Sequence, residues 1–260
     1  MPLLQTSAGG EIAVLDTAGY GAVTITQAVS IVNEEGVEAG VTVTSGDGIT
    51  ITAGAGDVVN LRGLTLVGAG GNSGITFTSG GTLNIQNSVI RGFTQNGIHL
   101  MPGGSSSFNV SDTIVSNNGN NGIVLAPTTG GTTNSALFER VQSLGNATAF
   151  YVDGTKISTG TLRATATDSV ARGNYYGFDG NGNLGVSPTF MLVNSQALDN
   201  YWDGVVSQAA TLVLAQTTIF GNVQDGYVIP ICCGGTINTF GNNYIYDTIN
   251  QGALTPISQH

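Results

Sequence analysis

The sequence predicts an all-β chain folded as a single-domain, right-handed parallel β-helix of about nine rungs. Three observations carry this prediction. Short apolar strands led by a small residue recur at steps of 22 to 28 residues. A second short alternating strand lies between each pair of them. No stretch shows helical periodicity, and only 8% of the 260 residues are charged, against about 25% in an ordinary soluble domain.

The first strand phrase opens at Gly48, Gly74, Gly97, Gly122, Ala149, Gly177, Gly204 and Gly226. The second reads Leu61-Arg62-Gly63-Leu64-Thr65-Leu66, then Ile85 to Ile90, then Val110 to Val115, with weaker copies down to Phe240 to Ile245. Such a period signals a solenoid, a propeller or an array. A propeller blade needs about 40 residues, and no leucine-rich consensus is present. Two or three short strands per repeat suit a β-helix rung. Hairpin sheets are the rival, because Asn-Gly is a strong hairpin signal. Here Asn-Gly keeps a constant distance after a strand in every repeat, which favours stacking of equivalent positions. The whole chain, 1–260, reads as one domain, with 1–10 as a remnant N-terminal cap. Residues 247–260 read as a C-terminal cover in which Ile249, Leu254 and Ile257 plug the apolar end.

The stretch "SNNGNNGIVL" at 116–125 shows the corner chemistry. Asn and Gly tolerate the positive φ that sharp corners demand. Asn side chains at equivalent corners can also bond to one another, and Asn118, Asn174, Asn200 and Asn222 are the candidates for such a structural ladder.

Charge bounds the partners. Sixteen acids against six bases give a net charge of −10, which argues against nucleic acid binding through a basic face. There is no run of 18 apolar residues, so no membrane-inserting helix is expected. The start, "MPLLQTSAGGEIAVL", lacks the basic and continuous apolar regions of a signal peptide, which leaves a cytoplasmic location open. The adjacent Cys232 and Cys233 are expected to be small, unbridged residues, since neighbouring Cβ vectors diverge on an extended chain.

With these repeats in view, the chain resembles the parallel β-helix repeat proteins of the pectate-lyase-like superfold, and more closely a bacterial family of exported β-helix proteins without assigned function. The resembling segments are "AGGEIAVLDTAGYGAVTIT" (8–26), "GDVVNLRGLTLVG" (56–68), "LNIQNSVIRGFTQNGI" (83–98) and "FNVSDTIVSNNGNNGIVL" (108–125). The resemblance implies an extracellular or cell-surface protein with a helix capping the first rung. That cap looks shortened or missing here, and an uncapped rung exposes strand edges that invite self-association.

The superfold also hosts polysaccharide lyases and glycoside hydrolases, and the resemblance implies where to look for them. Lyases typically hold Ca²⁺ on carboxylates beside an Arg or Lys base. Galacturonan hydrolases use three close Asp with a His and an Arg-x-Lys, and that pattern is absent: the histidines are His99 and His260 alone, and His99, between Ile98 and Leu100, is read as a surface residue. The candidate catalytic group is Asp179, Asp199, Asp203 and Arg172, which the repeat register puts near one corner of successive rungs about 4.8 Å apart. The alternative is corner Asp residues making Asx-turns. "DGNGN" at 179–183 departs from a calcium loop at Leu184 and Phe190, so no cofactor is expected, with Ca²⁺ the one ion worth testing.

Tyr175, Tyr176, Tyr201 and the single tryptophan, Trp202, gather at one corner of two successive repeats. Exposed aromatics beside Asp, Asn and Arg suit a sugar ring; ordinary flank packing is the alternative. The leading expectation is therefore a non-catalytic β-helix that binds carbohydrate or self-associates. A carboxylate-based lyase or hydrolase and an end-to-end structural fibre are the alternatives.

Overall fold

In the computed structural model, described for residues 6–14, 18–33 and 39–258, the chain winds as a parallel β-helix with a pectate-lyase-like fold. Three parallel sheets of 11, 10 and 9 strands run along it. Each strand pairs with the equivalent strand one rung before and one rung after: Leu83 lies between Val59 and Phe108, and Ile85 between Leu61 and Val110. From Gly10–Val14 to Asp225–Val228 the strands fall into nine successive triplets, one from each sheet. Thr236–Thr239 and Tyr244–Ile245 begin a tenth turn, and Thr255–Pro256 closes the first sheet.

The strands form because Val, Ile and Thr alternate with a period of two, so one face of each enters the core. Thr132–Glu139 alternates between part-exposed or exposed residues and the buried Asn134, Ala136 and Phe138. The interior is a column of Ile, Leu, Val and Phe. Phe150 and Phe178, partners on adjacent rungs, stack with centroids 4.9 Å apart and planes 7° apart. Phe138 and Phe190 pack on them, at 5.4 Å from Phe150 and 5.9 Å from Phe178.

Corner geometry explains the glycines and asparagines, with one change from expectation. At the bend from first to second sheet the left-handed conformation falls in turn on Gly63, Asn87, Asp112, Arg140, Asp168, Asn194 and Gln216. At the bend from second to third sheet it falls on Asn117, Gly145, Gly173, Asp199 and Gly221. The ladder asparagines are each the following residue, so their role is hydrogen bonding. The small residue that opens each third-sheet strand is there for space. A Cβ on Gly204 would lie 2.6 Å from the Gly226 carbonyl oxygen.

Two further expectations change. Cys232 and Cys233 are disulfide-bonded to each other. They sit in the turn 231–234, where the chain is not extended and the divergence of neighbouring side chains does not apply. His99 does point outward, yet it is half-buried between Thr76 and Val124 of the neighbouring rungs. Burial lowers its pKa, with Asp47 opposing and Lys156 assisting. At the C-terminus Leu254 packs against the core and Ile257 is half-buried, whereas Ile249 is exposed. Residues 1–5 of the expected N-terminal cap, and His260, lie outside the described residues.

Candidate functional site at the aromatic corner

The corner between second and third sheets is built by a ladder of side-chain amides. Asn118 donates to Asn146 Oδ1 at 3.0 Å, Asn146 to Asn174 Oδ1 at 3.2 Å, Asn174 to Asn200 Oδ1 at 3.1 Å, and Asn200 to Asn222 Oδ1 at 2.7 Å. Asn222 ends the run on Asp247 Oδ2 at 2.7 Å. From Asn146 on, each amide oxygen also accepts the backbone N–H of the preceding ladder residue, as Asn200 Oδ1 does from Asn174 at 3.1 Å, and Asn118 Oδ1 accepts that of Phe93. All five asparagines are buried. Such groups are costly to bury unless paired, and stacked rungs pair them at every level.

Anchored on that ladder, the next residues of the seventh and eighth rungs turn outward. Tyr175 stacks on Trp202, with centroids 5.3 Å apart and planes 15° apart, and on Tyr201 at 6.4 Å and 16°. Tyr176 meets Tyr175 edge-on at 5.2 Å. The facing surfaces of this stack are used on one another. The accessible surface is outward, chiefly on Tyr201, which is 71% exposed. Farther along the same corner Phe220 and Tyr246, both exposed, meet edge-on at 5.9 Å.

The four expected catalytic residues separate into two groups. Arg172 Nε donates to Asp199 Oδ2 at 3.0 Å across one rung, on the outside of the solenoid. Both side chains are largely solvated, and exposed pairs contribute little. Arg172→Ala is expected to change stability by less than about 0.5 kcal/mol, as read by urea denaturation; a larger loss would mean that the pair holds the corner.

Asp179 and Asp203 are instead buried in the third sheet, 7% and 5% exposed, with Asp179 in register with Tyr151 and Val206, three positions along from Asp203. Asp203 is in register with Asp225 of the ninth rung, itself 1% exposed. Burial, then the charges of Asp153 and Asp203, push Asp179 up to about 7. Burial, then the charge of Asp225, pushes Asp203 up to about 7, although a hydrogen bond from the Asp225 backbone opposes this. Tyr176 beside them is raised by burial and then by Asp203. One oxygen of each of Asp179, Asp203 and Asp225 is buried without a hydrogen-bond partner. Asp225, Tyr151 and Asp153 are members of this neighbourhood that the sequence reading did not single out. The signal for Asp225 was its place before Gly226, matching Asp203 before Gly204. Among the described residues no group of three or more His, Cys, Asp or Glu is placed to hold a metal ion.

Comparison with known proteins agrees with the fold. No family model matches the chain, and no curated protein matches it in sequence. Among solved structures the chain is similar to the crystal structure of pectate lyase Pel9A, with a TM-score of 0.57 and 13% identity. The match covers 95% of this chain and 69% of that one. At such identity the likeness establishes the pectate-lyase-like β-helix and no activity.

Proposed function

We propose that the protein is a non-catalytic β-helix that binds carbohydrate at the corner formed by Tyr175, Tyr176, Tyr201 and Trp202. The observation that carries this reading is an outward stack of aromatic rings on a rigid, amide-laddered corner, flanked by Asp199 and Arg172. Aromatic rings offer a broad apolar face with a polar rim, which suits a pyranose whose C–H face is apolar and whose hydroxyls seek polar neighbours. Preorganisation by the ladder lowers the ordering cost of binding. An extracellular or cell-surface setting accords with the Cys232–Cys233 disulfide, since such bonds persist in oxidising compartments. A glycan and polysaccharide screen of wild type and Trp202→Ala, with and without Ca²⁺, tests the proposal. At least a tenfold loss of affinity in the variant is expected; equal behaviour of the two proteins would overturn it.

The carboxylates favour a second reading, a glycoside hydrolase or polysaccharide lyase, because a carboxyl with a raised pKa can act as a general acid. It has weaker support: the raised carboxyls are buried, and the arginine expected to join them is paired with Asp199. Turnover of any bound glycan, abolished by Asp203→Asn, would establish it. Self-association has its own observation, an apolar opening of ≈ 240 Å³ at the first rungs lined by Ile12, Val14, Val23, Ile31 and Leu64. A concentration-independent monomer on size exclusion would remove that reading.

A further inference from the structure

The third sheet carries a group of buried acids whose chemistry the sugar reading does not use. Asp203 and Asp225 hold equivalent places in the strands Asp203–Gln208 and Asp225–Val228, and Asp179 stands three positions further along Tyr176–Asn181, in register with Tyr151 and Val206. Asp203 and Asp225 are strand partners, so their backbones are about 4.8 Å apart. Each of the three is more than nine-tenths buried, and each keeps an oxygen with no partner. The groups around these acids are of the wrong sign to neutralise them. The strand Thr148–Asp153 contributes Tyr151 and Asp153, the strand Tyr176–Asn181 contributes Tyr176, and Tyr175 approaches from the corner. The segment after the ninth rung offers an amide, Gln251 Nε2, which donates to Asp225 Oδ2 at 2.9 Å. The ion pairs among the described residues are Arg140 with Asp112 and Glu139, and Arg172 with Asp199, and none includes Asp179, Asp203 or Asp225.

Two like charges one strand apart, out of water and without a cation, cannot both persist cheaply. A proton relieves this, because a neutral carboxyl donates where a carboxylate only accepts. We propose that the buried carboxyls of Asp179 and Asp203, the latter facing Asp225 on the next rung, hold protons behind the aromatic corner, and that their ionisation loosens the seventh and eighth rungs and with them the Tyr175, Tyr201 and Trp202 stack. The link is direct in the chain: Trp202 precedes Asp203, and Tyr175 and Tyr176 lie four and three residues before Asp179.

The sign follows from linkage. Asp179 and Asp203 have pKa values raised from 3.8 to about 7, so the folded chain holds protons that the unfolded chain has already released. Their contribution is complete below about pH 4 and is lost as the pH rises through about 7. The corner is therefore tight in mildly acid solution and loosens above neutrality.

Trp202, the single tryptophan, reports on this without any ligand. Its emission is expected to shift to the red between pH 5 and 9 with a midpoint near neutrality. In the Asp179→Asn/Asp203→Asn double variant, where neutral amides replace the acids, that transition is expected to disappear. An unchanged transition in the variant, or none in wild type, would overturn the proposal. Carboxyl ¹³C titration of the wild-type protein decides independently of whether the variant folds: two resonances moving near pH 7, assigned to Asp179 and Asp203, support the proposal, and all carboxyls moving near pH 4 refute it.

Discussion

Asn200→Ala is expected to lower the free energy of unfolding by about 3 to 5 kcal/mol. Asn200 is fully buried and serves four partners. Its oxygen accepts the backbone N–H and the side-chain amide of Asn174, both at 3.1 Å. Its amide donates to the Ala171 carbonyl at 3.2 Å and to Asn222 Oδ1 at 2.7 Å. Removing the amide strands the Asn174 backbone N–H and the Ala171 carbonyl, both on the preceding rung, and each buried orphan costs about 1 to 3 kcal/mol. Asn200→Asp keeps the acceptor but sets a buried carboxylate against the Ala171 carbonyl and Asn222 Oδ1, so it should be no more stable than the alanine variant at neutral pH and should recover stability as the pH falls and the carboxyl takes up a proton. Urea denaturation followed by far-ultraviolet circular dichroism measures both. A cost below about 1 kcal/mol for Asn200→Ala, the value typical of a surface change, would mean that the ladder is incidental to the corner.

Phe150→Ala should cost a similar amount, about 3 to 5 kcal/mol, by a different mechanism. Phe150 is fully buried and bridges two rungs, in contact with Phe138 of its own rung and stacked on Phe178 of the next. Truncation opens a cavity inside a column that cannot collapse, because each rung's backbone is pinned by pairing above and below. Phe150→Leu refills much of the volume and should recover more than half of the loss. The two substitutions together separate packing from aromaticity: a leucine variant as unstable as the alanine variant would show that the ring stacking itself, and not the filled volume, stabilises the column.

The fold was readable because its cause is periodic. One small residue recurs wherever successive third-sheet strands approach too closely for a Cβ, as Gly204 shows against the Gly226 carbonyl. One strand alternation recurs because every rung faces the same column. Asn118, Asn174, Asn200 and Asn222 were readable for the same reason. Asn146 is harder to see because Ala147 and Ala149 flank its repeat in place of the usual glycine signal, and Asp247 because the last repeat has drifted. The parallel run Asn109 to Asn84 to Asn60 on the first sheet escaped notice altogether. Its members stand singly within strands, where nothing local marks them.

The site was only half legible. Position in the repeat placed Asp179, Asp199, Asp203 and Arg172 in one neighbourhood, but it could not say which way each side chain turns at the corner. Asp199 takes the left-handed position and faces Arg172 in solvent. Asp203, four residues later, begins a strand and is buried beside Asp225 of the next rung. The vicinal disulfide is not legible in the sequence because the turn at Cys232 and Cys233 depends on how residues 230–235 pass between the third and first sheets.

The central claim, a carbohydrate held on the outward rings of the seventh and eighth rungs, is tested most directly by titrating the protein with oligosaccharides while following Trp202 emission, at pH 5.5 where the corner is expected to be tight. The account predicts a saturable change in emission with at least one sugar, weakened at least tenfold by Tyr201→Ala, which leaves Trp202 and the ladder in place. An emission that no sugar alters, in a protein whose fold and stability are intact, would contradict it.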